Sequence, residues 1–286
     1  MLFACVTQRR YSDDVPARSR PVGTVTRGTT NPNRLRRADR YALGPLASVL
    51  RRATDPFVVD LGFGAAATTT VEMSDRFLRV RPDIEVVGVE IDPDRVAAAQ
   101  AFSRPGLSFR RGGFEIPIPG RSPAFIRAFN VLRQYDERDV PAAWELACSR
   151  LAPGGVFMDG TCDEIGRRAT WICCDATGPL TLTISMQLGS FERPSDVAER
   201  LPKALIHHNV PGERIQHFLA AADAAWLALA PLASFGSRQR WLAMCARLRA
   251  EGWPVLHRES RWRLGELTVA WDAVAPHSGR EAHHGP

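Results

Sequence analysis

Apolar residues follow two alternating spacings along this chain. From Phe57 to Leu61 (FVVDL) and from Ile84 to Ile91 (IEVVGVEI) they run almost unbroken over strand length. A parallel strand covered on both faces has that pattern. Leu107–Arg110, Ala124–Leu132 and Val156–Gly160 read as three further strands. Between them the apolar positions take helical spacing: Leu35 to Ala53, Thr69 to Arg81 before Pro82, Arg95 to Phe102 after Pro93, and Val140 to Leu151. Strand and helix in alternation predict an open α/β sheet with helices on both faces. Beyond it, Ala169–Cys174 and Leu180–Met186 are strand-like, joined by the hairpin signal Asp175-Ala-Thr-Gly-Pro179. Helices are predicted at Ile215–Leu229 and Arg240–Arg249, then strands at Pro254–Arg258 and Glu266–Trp271. Residues 1–30 and the tail 276–286 show no sustained period, and the chain has no internal repeat.

Candidate chemistry concentrates where the first strand ends. Gly62 and Gly64 permit a sharp turn and close backbone approach to a ligand, and Thr68–Thr70 lead into a helix whose first amides favour a polar or anionic group. This is where open α/β sheets bind ligands. The second strand ends in Glu90, followed by Asp92-Pro93; an acid there can accept both hydroxyls of a ribose. Glu90 lies 28 positions after Gly62, and Asp60 precedes that glycine. A dinucleotide fingerprint expects its acid roughly 20 positions on. Both features speak against a nicotinamide oxidoreductase, the first rival reading.

VVDLGFG, VVGVEIDPDRVAAAQ and LAPGGVFMDGT resemble the first, second and post-fourth motifs of class I S-adenosylmethionine-dependent methyltransferases. The resemblance covers residues 40–162, with a continuation at the C-terminal hairpin. It implies a Rossmann-like sheet of seven strands and an inserted cap over 165–235, all within a domain over 31–275. It also implies S-adenosylmethionine as cofactor, with Asp60, Gly62 and Gly64 at its methionine end and Glu90 and Asp92 at the ribose. The family carries an acid near the adenine just after strand three. Here the run is Arg111-Gly-Gly-Phe-Glu115, so Phe114 for stacking and Glu115 for the amino group take that place, beside the reading of Phe114 as core. Ala66 stands where the family has its third glycine. Asn130 occupies the place of active-site residues after strand four, without the Pro-Pro run of amino-group methyltransferases or the Pro-Cys of cytosine C5 enzymes.

Further candidate catalytic groups are Asp159 at the end of strand five and His207 and His208 in the cap, as acid–base groups under a substrate lid. Asp159 reads equally as a loop acid facing water. Asn33, Arg34 and Arg37 either face the cofactor mouth or belong to the surface of a leading helix. Adjacent histidines point apart on a strand, and the six cysteines lack zinc-like spacing, so no metal site is expected.

Charge changes this picture at one place. Residues 1–40 carry nine arginines against three aspartates, which accounts for the whole chain's +6. That leader is either an arm touching RNA or another acidic partner, or a solvated disordered segment. No apolar run reaches membrane-spanning length, the start lacks a signal-peptide pattern, and cysteines in apolar contexts suit a reducing cytoplasm. The sequence therefore points to methyl transfer onto a small-molecule acceptor. A non-catalytic binding module or an RNA methyltransferase using the leader is the alternative. Oligomeric state is not written in it.

Overall fold

Five strands, each carrying valine, isoleucine or phenylalanine at its inward positions, form the first half of one sheet: β1 (Phe57–Leu61), β2 (Glu85–Glu90), β3 (Leu107–Arg111), β4 (Phe125–Phe129) and β5 (Val156–Cys162). All pair in parallel, in the spatial order β3-β2-β1-β4-β5. Every residue of β1, β4 and β5 is buried, including Asp60, Arg127 and Asp159, which interrupt their apolar runs. The structure, a computed structural model, describes residues 21–26, 28 and 31–277.

Alternate residues of β1 feed two cores. Phe57, Val59 and Leu61 join one cluster and Val58 the other. The Val58 face is covered by α1 (Arg36–Ala42), α2 (Ala47–Arg52), α3 (Thr68–Leu78) and α4 (Pro93–Ala99), through Tyr41, Leu50, Phe77 and Val96. The opposite face is covered by α5 (Val140–Ser149), α6 (Lys203–Ile206), α7 (Arg214–Ala228) and α8 (Ser237–Ala250), through Ala147, Leu205, Phe218 and Trp241. The sheet is completed by β6 (Arg168–Asp175), β7 (Gly178–Met186), β8 (Val255–Leu256) and β9 (Glu266–Ala270), with α9 (Glu259–Trp262) between the last two.

Two expectations are corrected here. The sheet has nine strands rather than seven, in the order β3-β2-β1-β4-β5-β6-β7-β9-β8, and every pairing from β5 to β8 is antiparallel. The hairpin expected in a cap is β6-β7, and β6 pairs directly with β5. Periodicity identified the two strands and their turn, where Asp175 Oδ1 accepts from the Thr177 amide at 2.8 Å, but it carries no signal for the edge they join. The remainder of the supposed cap is a layer on the sheet. Val197, Leu201, Ile215 and Phe218 are buried in the same cluster as Ile172 and Ile184 of the hairpin.

Candidate active site

The order β3-β2-β1-β4 reverses direction between β1 and β4, and the loops following those strands flank the reversal. Ligands bind open α/β sheets at that point, beyond the carboxyl ends of the strands. Gly62 leaves β1 at φ 69°, and a methyl there would lie 2.5 Å from Val131 Cγ2, so only glycine fits the turn. Asn130 leaves β4 at φ 58°. Its Oδ1 accepts from the Cys162 amide at 3.0 Å and its Nδ2 donates to Cys162 Sγ at 3.4 Å, which joins the ends of β4 and β5. A cavity of about 50 Å³ lies between the Gly62–Gly64 loop and Asn130, with Asp60, Thr26 and Arg34 in its wall. Arg34 donates to the carbonyl oxygen of Asp163 at 3.0 Å, so it is tied to the rim of β5.

A second cavity of about 10 Å³ continues past Glu90 and Ile91 to Gly112, Gly113 and Phe114. Glu90 is 2 % exposed and accepts three backbone amides: Gly64 at 2.9 Å, Ile91 at 2.9 Å and Asp92 at 3.3 Å. Its carboxylate therefore ties the glycine loop to the end of β2. Asp92 caps α4 by accepting from the amides of Asp94 and Arg95. Phe114 packs edge-on against Tyr135 at 5.8 Å and is buried. Glu115 accepts from the Gly113 amide at 2.9 Å and from the Val22 amide at 2.8 Å, while the Phe114 amide donates to the Val22 carbonyl at 3.1 Å.

Behind the glycine loop is a charge array that inspection of the chain missed. Arg127 of β4 is fully buried; it donates to Asp60 Oδ1 at 2.9 Å, approaches Asp60 Oδ2 at 2.8 Å, and pairs with Asp39 of α1. Thr70 Oγ1 donates to Asp60 Oδ2 at 2.7 Å, and Arg76 of α3 pairs with Asp39. Burial pulls Arg127 toward a lower pKa, yet Asp39 and Asp60 hold it above the ordinary guanidinium value. Burial pushes Asp39 up against the pull of Arg127 and Arg76. Each carboxylate oxygen of Asp60 thus accepts one hydrogen bond within the protein, and Oδ2 also lies in ion-pair contact with Arg127.

The remaining candidates lie elsewhere. Asp159 shares a face of β5 with Phe157, is 1 % exposed, and accepts from Trp144 Nε1 of α5 at 3.0 Å. Burial raises its pKa to about 7. His207 is exposed, and His208 bonds Glu137 at 2.6 Å and lies 3.8 Å from Glu213. None of these three lines either cavity. Among the described residues no group of histidine, cysteine or acidic side chains has metal-binding geometry, and no helix is long and apolar enough to cross a membrane.

The site was compared with known proteins. No protein-family model matches the chain, and no curated protein matches it. Solved structures match over part of it. CcbJ methyltransferase from Streptomyces caelestis is 18 % identical over 54 % of this chain and 65 % of its own, with a TM-score of 0.35. DesVI from Streptomyces venezuelae is 17 % identical over 54 % of this chain and 71 % of its own, with a TM-score of 0.33. A candidate sarcosine dimethylglycine methyltransferase from Galdieria sulphuraria is 20 % identical over 44 % of this chain, with a TM-score of 0.33; the match spans 46 % of its length.

Proposed function

We propose that this chain transfers a methyl group from S-adenosylmethionine to a small-molecule acceptor. One observation carries the reading: the Gly62–Gly64 turn, Glu90 and Phe114 line two neighbouring cavities that share Gly62 and Thr26 across the ends of β1, β2 and β3, and Glu115 holds its carboxylate next to them on the Gly113 amide. The donor set fits the cofactor. A carboxylate next to an amide N–H matches an adenine's amino donor and ring-nitrogen acceptor. A carboxylate at the end of β2 matches a ribose diol, and the glycine turn leaves room for backbone approach.

When bound, S-adenosylmethionine supplies an electrophilic methyl group. The protein's own part is to position and desolvate the acceptor. Glu90 holds the glycine loop and orients the ribose. Asp60, fixed by Arg127 and Thr70, sets the path of the β1 turn and offers a remaining lone pair at the methionine end. Asn130, anchored to Cys162, and Arg34, anchored to the β5 rim, form the acceptor side. Asp159, His207 and His208 stand outside this groove, so none acts as general base in this scheme.

Calorimetric titration of the purified chain with S-adenosylmethionine and, separately, NAD tests the reading. The sulfonium compound is expected to bind and NAD not to. Glu90→Ala is expected to weaken binding roughly 10- to 100-fold, the loss of hydrogen bonds to a charged acceptor. Binding of NAD in place of S-adenosylmethionine, or of neither compound by wild type and by variants with the 22–28 segment loosened, sinks the proposal.

A further inference from the structure

Residues 22–26 and 28 precede every element of the fold, yet they lie against the cavities just described. The Val22 amide donates to Glu115 Oε2 at 2.8 Å, and its carbonyl accepts from the Phe114 amide at 3.1 Å. Gly23 passes so close that a methyl on it would lie 2.6 Å from the Tyr135 hydroxyl and 2.8 Å from Ile91 Cδ1. The Thr24 amide donates to the Tyr135 hydroxyl at 2.8 Å. Thr26 is 8 % exposed and lines both cavities. Gly28 ends the run on the glycine loop, where a methyl would meet Ala65 N at 2.6 Å and Gly64 Cα at 2.7 Å.

The strap therefore spans the groove from the β3 loop, past Glu90, to the β1 turn. At its first residue the match is chemical as well as spatial. The main chain of one residue offers one donor and one acceptor, the same pair of functions an adenine presents on its Watson–Crick edge. Val22 gives them to Glu115 and Phe114, the two groups assigned to the adenine. The open space beside the strap, about 50 Å³ and about 10 Å³, is well short of the roughly 300 Å³ at which ligand pockets begin.

We infer that the strap carrying Val22 to Thr26 and Gly28 acts as an internal stand-in for the cofactor, occupying its groove and leaving when it binds. This rests on the cofactor reading above and adds a gate to it. The apparent affinity of a site open only part of the time falls by the fraction open. Loosening the strap from its own side then strengthens binding.

The test uses the full chain, its Gly23→Ala and Gly28→Ala variants, and S-adenosylhomocysteine as the probe. Each added methyl collides with the groove wall rather than altering it. Both variants are expected to bind the probe about tenfold more tightly than wild type. In wild type, saturating probe is expected to speed hydrogen exchange at the Val22 and Thr24 amides while Phe114 stays protected, because its carbonyl partner is replaced by the ligand. Unchanged or weaker affinity in both variants, or retained protection at Val22, overturns the strap as a stand-in and leaves the cofactor reading standing. Absence of binding in wild type and both variants overturns the cofactor reading, and the strap's role with it.

Discussion

Arg127 holds two carboxylates where water does not reach them. Removing one partner of a buried ion pair leaves the other charge uncompensated, which costs about 3–5 kcal/mol. Arg127→Ala leaves Asp39 and Asp60 facing each other, so a loss of that size is expected in urea unfolding, together with loss of cofactor binding. The residue is visible in the chain as a lone arginine inside the apolar run AFIRAFNVL. Its partners sit 67 and 88 positions away, and no local pattern points to them. Asp159 shows the same limit from the other side. It reads as a rim acid, but the alternation of β5 turns it inward onto Trp144. Its carboxyl titrates at about 7 folded against 3.8 unperturbed. Between those values the folded chain holds a proton the unfolded chain has lost. Stability is therefore expected to fall as pH rises from about 4 to about 7, by up to roughly 4 kcal/mol from this group. Asp159→Asn should flatten that slope in denaturant titrations across the range; an unaltered slope refutes the assignment.

Among the elements, the first five strands and the helices between them were legible because each repeats its pattern over its whole length. Boundaries also left marks. Pro93 opens α4, and Asp92 before it accepts from two of that helix's free amides. Asp92→Ala is expected to cost about 1 kcal/mol by thermal unfolding, the usual worth of such a cap. A larger loss in cofactor affinity than in stability would show that Asp92 also touches the ligand. The hairpin of β6 and β7 was legible as a pair but not as a neighbour of β5, because strand periodicity reports which residues share a face and not which edge receives them. The strap had no pattern to read. Residues 22–28 (VGTVTRG) show no apolar period, and the contacts at Val22, Gly23, Thr24 and Gly28 are made by backbone atoms or glycines.

For the molecule as a whole, the two halves of the sheet differ in kind. The parallel half carries the groove; the antiparallel half carries none of its lining residues and serves as a base for α7 and α8. The two-residue strand β8 closes one border, too short to template another chain. Residues 1–20, which hold four of the leader's nine arginines and two of its three aspartates, lie outside the described residues, and the RNA reading of that arm with them. At the other end, His277 docks on Glu213 through its amide and ring, both at 3.2 Å. Burial pushes Glu213 up, but these bonds and the neighbouring His208 carry it below the usual carboxylate range. Ending the chain at residue 276 is expected to release that hold and raise proteolysis near 207–213, as read by limited trypsin or endoprotease Glu-C digestion.

The array around Arg127 also sets an order of events during synthesis. Asp39 and Asp60 leave the ribosome well before the arginine that neutralises them, and Arg127 closes contacts 67 and 88 residues long. Until β4 arrives, Asp39 has only Arg76 as a cation and Asp60 would have to be buried without Arg127, with Thr70 as its side-chain donor. The nascent N-terminal third therefore stays open, and the parallel half condenses in one cooperative step once residue 127 is free to join it.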